Sequence, residues 1–577
     1  MLNNCSYLFI ITLLLFSSAA LFAQQKEIIT TREYPRGYFA PAMKIAPQAS
    51  GTFGELRSTH FHGGDDYRTQ QRTGIPIHSI AEGFVSRVRV QIGGGGNAVY
   101  IDHPNGYTSV YMHMSGFNDK IAQSVKEEQY KQKRFDVDLE LKPNQISLNK
   151  GDVIGKSGNT GASSGPHMHL EIRETKSQNP LNPQLFGLHF PDRIPPTISR
   201  LVIYDRMDKP FSEHTPRRNQ ALRSLGNGKY DLSHSTPVSV NGIFGIGIAS
   251  IDKHNGTSFN HGIYSIEVFL DNENISTVLF EELDFETTRA IHAYIDYPTW
   301  VNEKVKVQKT FKDPNNPLDI FYTLKNRGLV QLNDQKVHDV KIIVKDVHAN
   351  TSELNFKVKQ NDNFTPKATL EEGVKQFLYN QKNEFQTENV RVEMEKGVLY
   401  DDLNFQYTQS PAPSSAFSAS HKIHNLMTPL YNPYTLAIKA VNLPENLRDK
   451  ALIVSSYGVP QGGEYQEGWV TTKLRTFGDF YITTDTTPPT IRPRNLSDGK
   501  NLSTQSRIDF TIDDNLSGIQ SFNGYIDGEW VLMEYDSKNK HLWHTFEPHL
   551  SKGKHTFELV VKDRKDNEKR YKVNFIK

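Results

Sequence analysis

The sequence predicts a mainly β protein made of several antiparallel β domains in a row. Polar and apolar residues alternate with a period of two in many segments, for example in "HDVKIIVKD". Short Val- and Ile-rich runs are bounded by Gly, Asn and Pro, which favours strands joined by tight turns. At about 100–200 residues per domain, the 577 residues have room for roughly three to five domains.

Residues 1–23 are predicted to be a secretory signal peptide. The run from Tyr7 to Phe22 is apolar and uncharged, too short to span a bilayer, and is followed by Ala23 and polar residues. No Lys or Arg precedes the run, so an uncleaved anchor is the alternative. We expect an exported protein of the periplasm, the cell envelope or the medium, without a transmembrane segment in its mature chain. Residues 24–50 form a lead segment.

Charge and cysteine content exclude two classes of function. Lys and Arg number 66 against 65 Asp and Glu, and no basic patch is evident, so nucleic acid is not an expected partner. The single cysteine, Cys5, lies inside the predicted signal peptide. The mature chain then lacks disulfides and cysteine-bound zinc, and any metal must be held by His, Asp or Glu.

Residues 51–190 concentrate histidines in a Gly-rich β segment, in "HFHGGDDY", "YMHM" and "GPHMHLEI". Residues i and i+2 of a strand point to one side, so His167, His169 and Glu171 should share a face. The same parity predicts that Tyr111 and His113 lie on one side.

His62 and Asp66 are separated by two glycines and one further residue, a flexible stretch that can bring both side chains to one ion. Two imidazoles, one carboxylate and a water make a typical catalytic zinc shell. A lone histidine in a strand is more often a surface or satisfied residue, and His78 and His103 are left under that interpretation. The three clusters together, not any single histidine, indicate a metal site.

Residues 50–175 closely resemble the LytM/lysostaphin-type zinc metallopeptidases, which cut peptide bonds in bacterial peptidoglycan. The resemblance rests on "HGGDD", "YMH" and "HMH", together with "GIPI", "IDHPNGY" and "KGDVIGKSGNTG" in the same order. It implies an antiparallel β metallopeptidase fold with one Zn²⁺ per chain. The implied zinc ligands are His62, Asp66 and His169. His113 and His167 would be catalytic, flanking the reacting water without binding the metal.

Three points about this site stay open in the sequence. His60 also lies in a His-x-His and competes with His62, which the family pattern favours. Glu171 either orients a neighbouring imidazole or is a solvated residue at a strand end. Residues 117–145 extend a link that is short in the family, and this insertion either borders the substrate groove or is a surface excursion without a role.

The rest of the chain predicts β-sandwich modules. Residues 193–360 and 486–577 both follow a Pro-Pro-Thr-Ile start, and "HDVKIIVKDVHAN" aligns without gaps on "HTFELVVKDRKDN". Both segments resemble bacterial immunoglobulin-like repeats, whereas residues 361–485, which begin near Pro366, are β-rich without an assigned family. Asp513, Asp514 and Asn515 are either a calcium ligand set or, more in keeping with their spacing, a solvated turn.

The sequence therefore favours an exported zinc endopeptidase, a D,D-endopeptidase, that hydrolyses peptide cross-links of peptidoglycan. Its substrate would be the peptide stems, and its β modules would position it or bind an envelope protein partner. A non-catalytic protein that binds the wall and activates other hydrolases is the alternative from another class. Cleavage of a protein substrate is a third.

Overall fold

The structure is a computed structural model that describes residues 27–206, 210–361 and 375–577. The predicted signal peptide and the boundary near Pro366 lie outside these residues. Antiparallel sheets dominate throughout, which confirms the predicted mainly β fold. Among the described residues no helix has the length and apolar character needed to cross a membrane.

The first domain, residues 27–190, contains the histidine clusters. A nine-stranded sheet has the order β1-β2-β11-β6-β5-β4-β8, with β12 beside β11 and β9 beside β4, and a small sheet has the order β3-β10-β7. The elements are β1 (Ala49–Gly51), β2 (Asp65–Arg68), β3 (Pro76–His78), β4 (Gly83–Val90), β5 (Ala98–Asp102), β6 (Tyr107–Met112), β7 (Gly116–Phe117), α1 (Asp119–Gln132), β8 (Val137–Glu140), β9 (Ser147–Leu148), β10 (Val153–Lys156), β11 (His167–Glu174) and β12 (Pro180–Leu181), followed by a 3-10 turn (Pro183–Phe186).

The predicted insertion forms helix α1 and the edge strand β8. Asn118 caps the helix by accepting a hydrogen bond from the Ile121 backbone N–H, and the left-handed Lys133 ends it. The other face of α1 contacts the C-terminal part of the chain: Tyr130 donates to Glu547 at 2.7 Å. Lys126 pairs with the same carboxylate at 2.5 Å. The idea that the insertion covers a groove stays a prediction, but the helix has a binding partner within the chain.

The second domain, residues 197–361, places two sheets face to face around one core. Its elements are β13 (Thr197–Asp205), β14 (Arg217–Gln220), β15 (Leu222–Gly226), β16 (Lys229–Leu232), β17 (Val238–Val240), β18 (Ile243–Ile251), β19 (Ser265–Leu270), β20 (Glu273–Leu279), α2 (Ile291–Tyr294), α3 (Tyr297–Glu303), β21 (Gln308–Lys309), β22 (Phe321–Leu324), β23 (Val330–Gln331), β24 (Val337–Lys345) and β25 (Thr351–Gln360), with 3-10 turns at Thr288–Ala290 and Lys325–Gly328.

The third domain, residues 375–485, contains two five-stranded sheets and a small two-stranded sheet, and the fourth, residues 490–577, contains two sheets; each has its own core. The third contains β26 (Lys375–Phe377), β27 (Asn383–Gln386), β28 (Val390–Met394), β29 (Leu403–Phe405), β30 (Tyr407–Ser410), β31 (Ser420–Ile423), β32 (Tyr434–Lys439), a 3-10 turn (Glu445–Lys450), β33 (Ala451–Ser455), β34 (Pro460–Gly462), β35 (Glu464–Gln466), β36 (Trp469–Leu474) and β37 (Gly478–Thr484). The fourth contains β38 (Thr490–Pro493), β39 (Lys500–Asn501), β40 (Arg507–Asp513), β41 (Ile519–Ile526), β42 (Glu529–Val531), β43 (Glu534–Asp536), β44 (His541–Thr545), β45 (Lys554–Asp563) and β46 (Glu568–Ile576).

The repeated sequence motif has the same place in the second and fourth domains. The central run of the larger sheet is β25-β24-β19-β20 in the second domain and β46-β45-β41-β42 in the fourth. In both, a strand from early in the domain joins the last strand in parallel, β16 on β25 and β39 on β46. β17 also joins β25 in parallel. Among the described strands the sheets are otherwise antiparallel, and the alternation pattern alone does not reveal these parallel pairings.

A loop of the first domain is part of the second domain's core. Phe53 and Phe61 are each 2% exposed and pack into the second domain's hydrophobic cluster. The Phe61 ring centroid lies 5.6 Å from that of Phe280 and 5.8 Å from that of Tyr294. The residues just before His62 are thus anchored by the neighbouring domain.

Candidate metal centre

Strands β2 and β11 hold two of the predicted ligands opposite each other. In their antiparallel register His169 is the partner of Asp66, so the two side chains leave the same face of the sheet. The Asp66 Oδ1 atom lies 2.8 Å from His169 Nδ1. Gly64 allows the chain to pass β11 closely, since a Cβ at this position would overlap the Leu170 carbonyl oxygen.

His62 enters the site from the loop that the second domain anchors. Its Nδ1 lies 2.9 Å from the Thr52 carbonyl oxygen, which can only accept a hydrogen bond, so Nδ1 carries the proton. The Thr52 hydroxyl in turn accepts from the Gly262 backbone N–H of the second domain at 3.0 Å. Nε2 of His62 therefore presents its lone pair to the site.

The donor atoms of the three predicted ligands form a triangle. His62 Nε2 lies 3.1 Å from Asp66 Oδ1 and 3.0 Å from His169 Nδ1. His169 donates from Nε2 to Glu171 Oε1 at 3.0 Å, which leaves its Nδ1 lone pair directed at the other two donors. Two imidazole nitrogens and a carboxylate oxygen facing one another favour a cation between them, either a proton or a metal ion. Tetrahedral zinc with bonds of about 2.0–2.1 Å separates its ligands by about 3.3 Å, so a small outward shift would seat the ion.

The electrostatics of the triangle also favour a positive charge. Burial alone would raise the pKa of Asp66, but the three imidazoles around it hold that pKa well below its usual range. Burial opposes protonation of His169, yet its hydrogen bonds to Asp66 and Glu171 raise its pKa to about 9. Glu171, 3% exposed, is buried as well, and Arg173 helps to lower its pKa to about 2. Glu171 is therefore not a solvated residue but the hydrogen-bond partner of His169.

His113 reaches the site by a backbone turn that parity did not predict. Tyr111 lies opposite Leu170 of β11 and is fully buried in the first domain's core, on the face away from His169. The expectation that Tyr111 and His113 share a side was wrong, because β6 ends at Met112 and His113 has a φ of 61°. This left-handed conformation turns the imidazole to the other face, where His113 Nδ1 donates to the Thr160 carbonyl oxygen at 2.8 Å.

His167 and His113 form a pair beside the triangle. Their ring centroids lie 4.7 Å apart. The His167 Nδ1 lies 2.9 Å from the Gly165 carbonyl oxygen, so its Nε2 faces Asp66 Oδ1 at 3.4 Å. Burial and the charges of His169 and His167 lower the pKa of His113 to about 3, which keeps this imidazole neutral. Each ring has one nitrogen anchored to a backbone carbonyl and a second nitrogen that no carbonyl holds, which in His167 faces Asp66.

The remaining histidines of the first domain lie elsewhere. His60 is exposed and its Nδ1 contacts the Thr59 hydroxyl, outside the triangle. His78 contacts the Gly151 carbonyl oxygen and His103 that of Glu82, in agreement with the interpretation that left both aside.

Sequence reasoning missed the residues that support the ligands. Thr52 fixes the tautomer of His62, Arg57 pairs with Asp66 Oδ2 at 3.0 Å, and Thr160 orients His113. Thr52 and Thr160 act through their backbone carbonyls, which every residue has, so no side-chain pattern could identify them.

Residues 60–130 match the family model described as Peptidase family M23, a range that contains His62, Asp66 and His113. An uncharacterized metalloprotease of Haemophilus influenzae is 35% identical over 127 residues, which are 22% of this chain and 22% of that protein. The DD-carboxypeptidase/endopeptidase Mpg of Neisseria meningitidis is 32% identical over 137 residues, 24% of this chain and 25% of that protein. The first domain is a LytM-type M23 peptidase domain. The chain spans about a quarter of the length of these curated relatives.

Two further matches concern structure and the third domain. The catalytic domain of the prophage-encoded M23 protein EnpA from Enterococcus faecalis is similar over 26% of this chain and 99% of that chain, at 26% identity and a TM-score of 0.20. Residues 374–485 match a Zu5-like domain, in the segment without an assigned family. The M23 family implies a bound metal, typically zinc, and His62, Asp66 and His169 are the candidate site for it.

The fourth domain touches the M23 domain beside its histidine pair. Lys538 donates from Nζ to the Ser163 carbonyl oxygen at 3.0 Å and also to that of Asn159. These carbonyls belong to the loop that contains Thr160, the partner of His113. The loop that orients His113 is therefore stabilised by a contact with the C-terminal domain as well as by its own domain.

Gly64→Ala is expected to destabilise the M23 domain by about 1–3 kcal/mol, the usual cost of overpacking. The new Cβ would overlap the Leu170 carbonyl oxygen and press on His169 Nε2, so metal affinity should fall as well. Gly63→Ala is the matched control, since its Cβ would meet only the ends of the Glu171 and Phe285 side chains at 3.3–3.5 Å. Urea unfolding and zinc titration of both variants test this prediction. Equal losses of stability and of zinc affinity in the two variants would contradict it.

Phe61→Ala is expected to cost about 3–5 kcal/mol of stability and to weaken metal binding at His62. The cavity would lie in the second domain's core, directly beside the backbone that positions the ligand. Phe510→Ala removes an equally buried ring from the fourth domain's core, far from the triangle, and should leave metal affinity unchanged. Unfolding curves with zinc titrations distinguish the two, and equal metal affinity in both variants would refute the coupling.

Proposed function

We propose that the chain is an exported zinc endopeptidase that hydrolyses peptide cross-links of bacterial peptidoglycan. The observation that carries this proposal is the triangle of His62 Nε2, Asp66 Oδ1 and His169 Nδ1, whose lone pairs converge within 2.8–3.1 Å. The pair of His113 and His167 beside it supports a hydrolytic site over a purely structural metal site, because such a site does not need two further anchored imidazoles.

In this proposal His62, Asp66 and His169 bind one Zn²⁺. The ion supplies Lewis-acid chemistry there, polarising a carbonyl and lowering the pKa of water to around 7. The free nitrogen of His113 or His167 takes a proton from the attacking water and passes it to the amine that leaves as the amide C–N bond breaks. The protonated ring also stabilises negative charge on the carbonyl oxygen. Glu171 and Thr52 hold the ligand imidazoles in the required tautomers.

The bond is proposed to be the D,D-amide of direct cross-links. The Neisseria relative, 32% identical over 137 residues, is named a DD-carboxypeptidase/endopeptidase. Export rests on the predicted signal peptide, residues 1–23, and on the near-neutral, cysteine-free remainder of the chain. The second to fourth domains would position the M23 domain on the wall or bind an envelope protein.

The test is incubation of the purified chain with isolated peptidoglycan sacculi and identification of the released muropeptides by mass spectrometry. Loss of cross-linked muropeptide dimers, with release of the corresponding monomers, would support the proposal and identify the bond that is cleaved. The His169→Ala variant, prepared in parallel, should release nothing. Bound zinc without release would favour an inactive form that awaits a partner, and a metal-free protein that binds sacculi would favour the non-catalytic alternative.

A further inference from the structure

A second group of carboxylate and imidazole side chains lies where the M23 domain meets the second domain. We call it the junction cluster: Asp192, Asp252, His254, Asp346 and His348. Within each of two overlapping sets, Asp192 with Asp252 and His254, and Asp192 with Asp346 and His348, the donor atoms lie within 4.8 Å of one another. Asp192 comes from the link after the M23 domain, Asp252 follows β18, and Asp346 begins the turn between β24 and β25.

The hydrogen bonds of the cluster leave two deeply buried atoms unpartnered. Asp252 is 1% exposed and His254 is 3% exposed. Among the described residues, Asp252 Oδ1 and His254 Nδ1 have no hydrogen-bond partner. The other carboxylate oxygen, Asp252 Oδ2, lies 3.2 Å from His254 Nε2. A buried carboxylate oxygen without a donor is costly, and a bound cation removes that cost.

The cluster also lacks a compensating positive charge. In the described ranges no Lys or Arg forms an ion pair with Asp192, Asp252 or Asp346. Three carboxylates forced together without a cation agree with a site built around one.

The fourth domain provides an internal comparison. Its Asp485, Asp514 and Asp563 also converge, and Asp485 precedes Pro488-Pro489 by the spacing that separates Asp192 from Pro195-Pro196. There the turn carboxylate of Asp563 accepts hydrogen bonds from Asn567, as Asp346 does from Asn350.

The two clusters differ in their imidazoles. Lys565 occupies the position of His348 in the aligned motif, and the described cluster of the fourth domain contains no histidine. The two domains thus share a carboxylate arrangement, and the histidines occur in the one whose cluster includes Asp192 of the link to the M23 domain.

We propose that the junction cluster binds a second divalent ion of the first transition row, for which Zn²⁺ is the probe. Mixed carboxylate and imidazole donors suit such ions, whereas calcium prefers oxygen donors alone. An open depression lined by Pro47, His189, Asn255 and His348 gives the ion access from solvent. Bound there, the ion would fasten the interdomain link to two turns of the second domain and so fix the orientation of the M23 domain. The inference is independent of the proposed function.

The test is metal stoichiometry of the purified, chelator-treated chain after zinc titration, followed by calorimetry and elemental analysis. The chain is expected to bind two equivalents. Asp252→Asn combined with His254→Gln should bind one, and His62→Gln combined with His169→Gln should also bind one. Asp514→Asn is the matched control in the fourth domain and should still bind two. Thermal unfolding with and without zinc checks that each variant is folded.

The outcomes separate this inference from the proposed function. One equivalent in the unmodified chain, unchanged by Asp252→Asn with His254→Gln, would overturn the junction site and leave the catalytic zinc intact. One equivalent that depends on these two residues alone would support the junction site and count against the catalytic one. If the double variant does not fold, His348→Gln serves instead, because that side chain is only half-buried. It should weaken the second binding event more than about 10-fold, since even an outer partner of a ligand contributes 10–100-fold.

Discussion

The His169→Ala variant is expected to lose the metal of the triangle and all measurable cleavage of sacculi. His169 contributes one of three donors, lies 2.8 Å from Asp66 Oδ1 and is buried, and the alanine that replaces it has no side-chain donor for the ion. Removing a partner outside the ligand set already costs about 10–100-fold in metal affinity, and removing a ligand must cost more. Zinc titration of chelator-treated protein and muropeptide analysis measure both effects.

His60→Ala is the control for this prediction. It also shows whether His60 or His62 of the "HFH" motif binds the metal. Its imidazole is exposed and outside the triangle, so zinc affinity and cleavage should stay near those of the unmodified chain. His62→Ala should behave like His169→Ala. If His60→Ala lost the metal and His62→Ala kept it, the ligand set proposed here would be wrong.

The His113→Ala and His167→Ala variants are expected to keep the metal and to lose about 10²–10⁴-fold in turnover, the usual contribution of a positioned acid–base group. Neither imidazole is part of the triangle, and each is anchored through Nδ1 to a carbonyl oxygen, of Thr160 and of Gly165. Steady-state kinetics on a purified cross-linked muropeptide gives the loss, and zinc titration shows whether the metal remains.

A double variant of both histidines sharpens this result. If the two histidines act in one proton-transfer chain, the fold loss of turnover in the double variant should be far smaller than the product of the fold losses in the two single variants. Full multiplication of the effects would indicate independent roles. Loss of metal in either single variant would instead assign that histidine to the ligand set.

Much of the site could be predicted because its chemistry lies in short, local patterns. The i, i+2 rule places His167, His169 and Glu171 on one face of β11, and the structure has them there. The same rule failed at His113, because it holds only while the backbone stays extended, and the strand ends one residue earlier. Nothing in "YMHM" marks that point.

The long-range supports of the site could not be predicted for a different reason. Thr52 meets Gly262 across 210 residues of sequence, and Lys538 meets Ser163 across 375. These contacts depend on how whole domains dock, which strand periodicity does not encode. The repeat between the second and fourth domains was visible because equivalent turns require equivalent residues, such as Asp346 and Asp563.

The anchoring of Phe53 and Phe61 in the second domain has a consequence for the order of events during synthesis. A ribosome releases the M23 domain first, but the core that receives these rings includes Phe280 and Tyr294, which follow Phe53 and Phe61 by more than two hundred residues in the sequence. Until then the loop before His62 has no place to pack, and one ligand of the triangle is not yet held. The candidate metal site would thus be completed only after about half of the chain has been made.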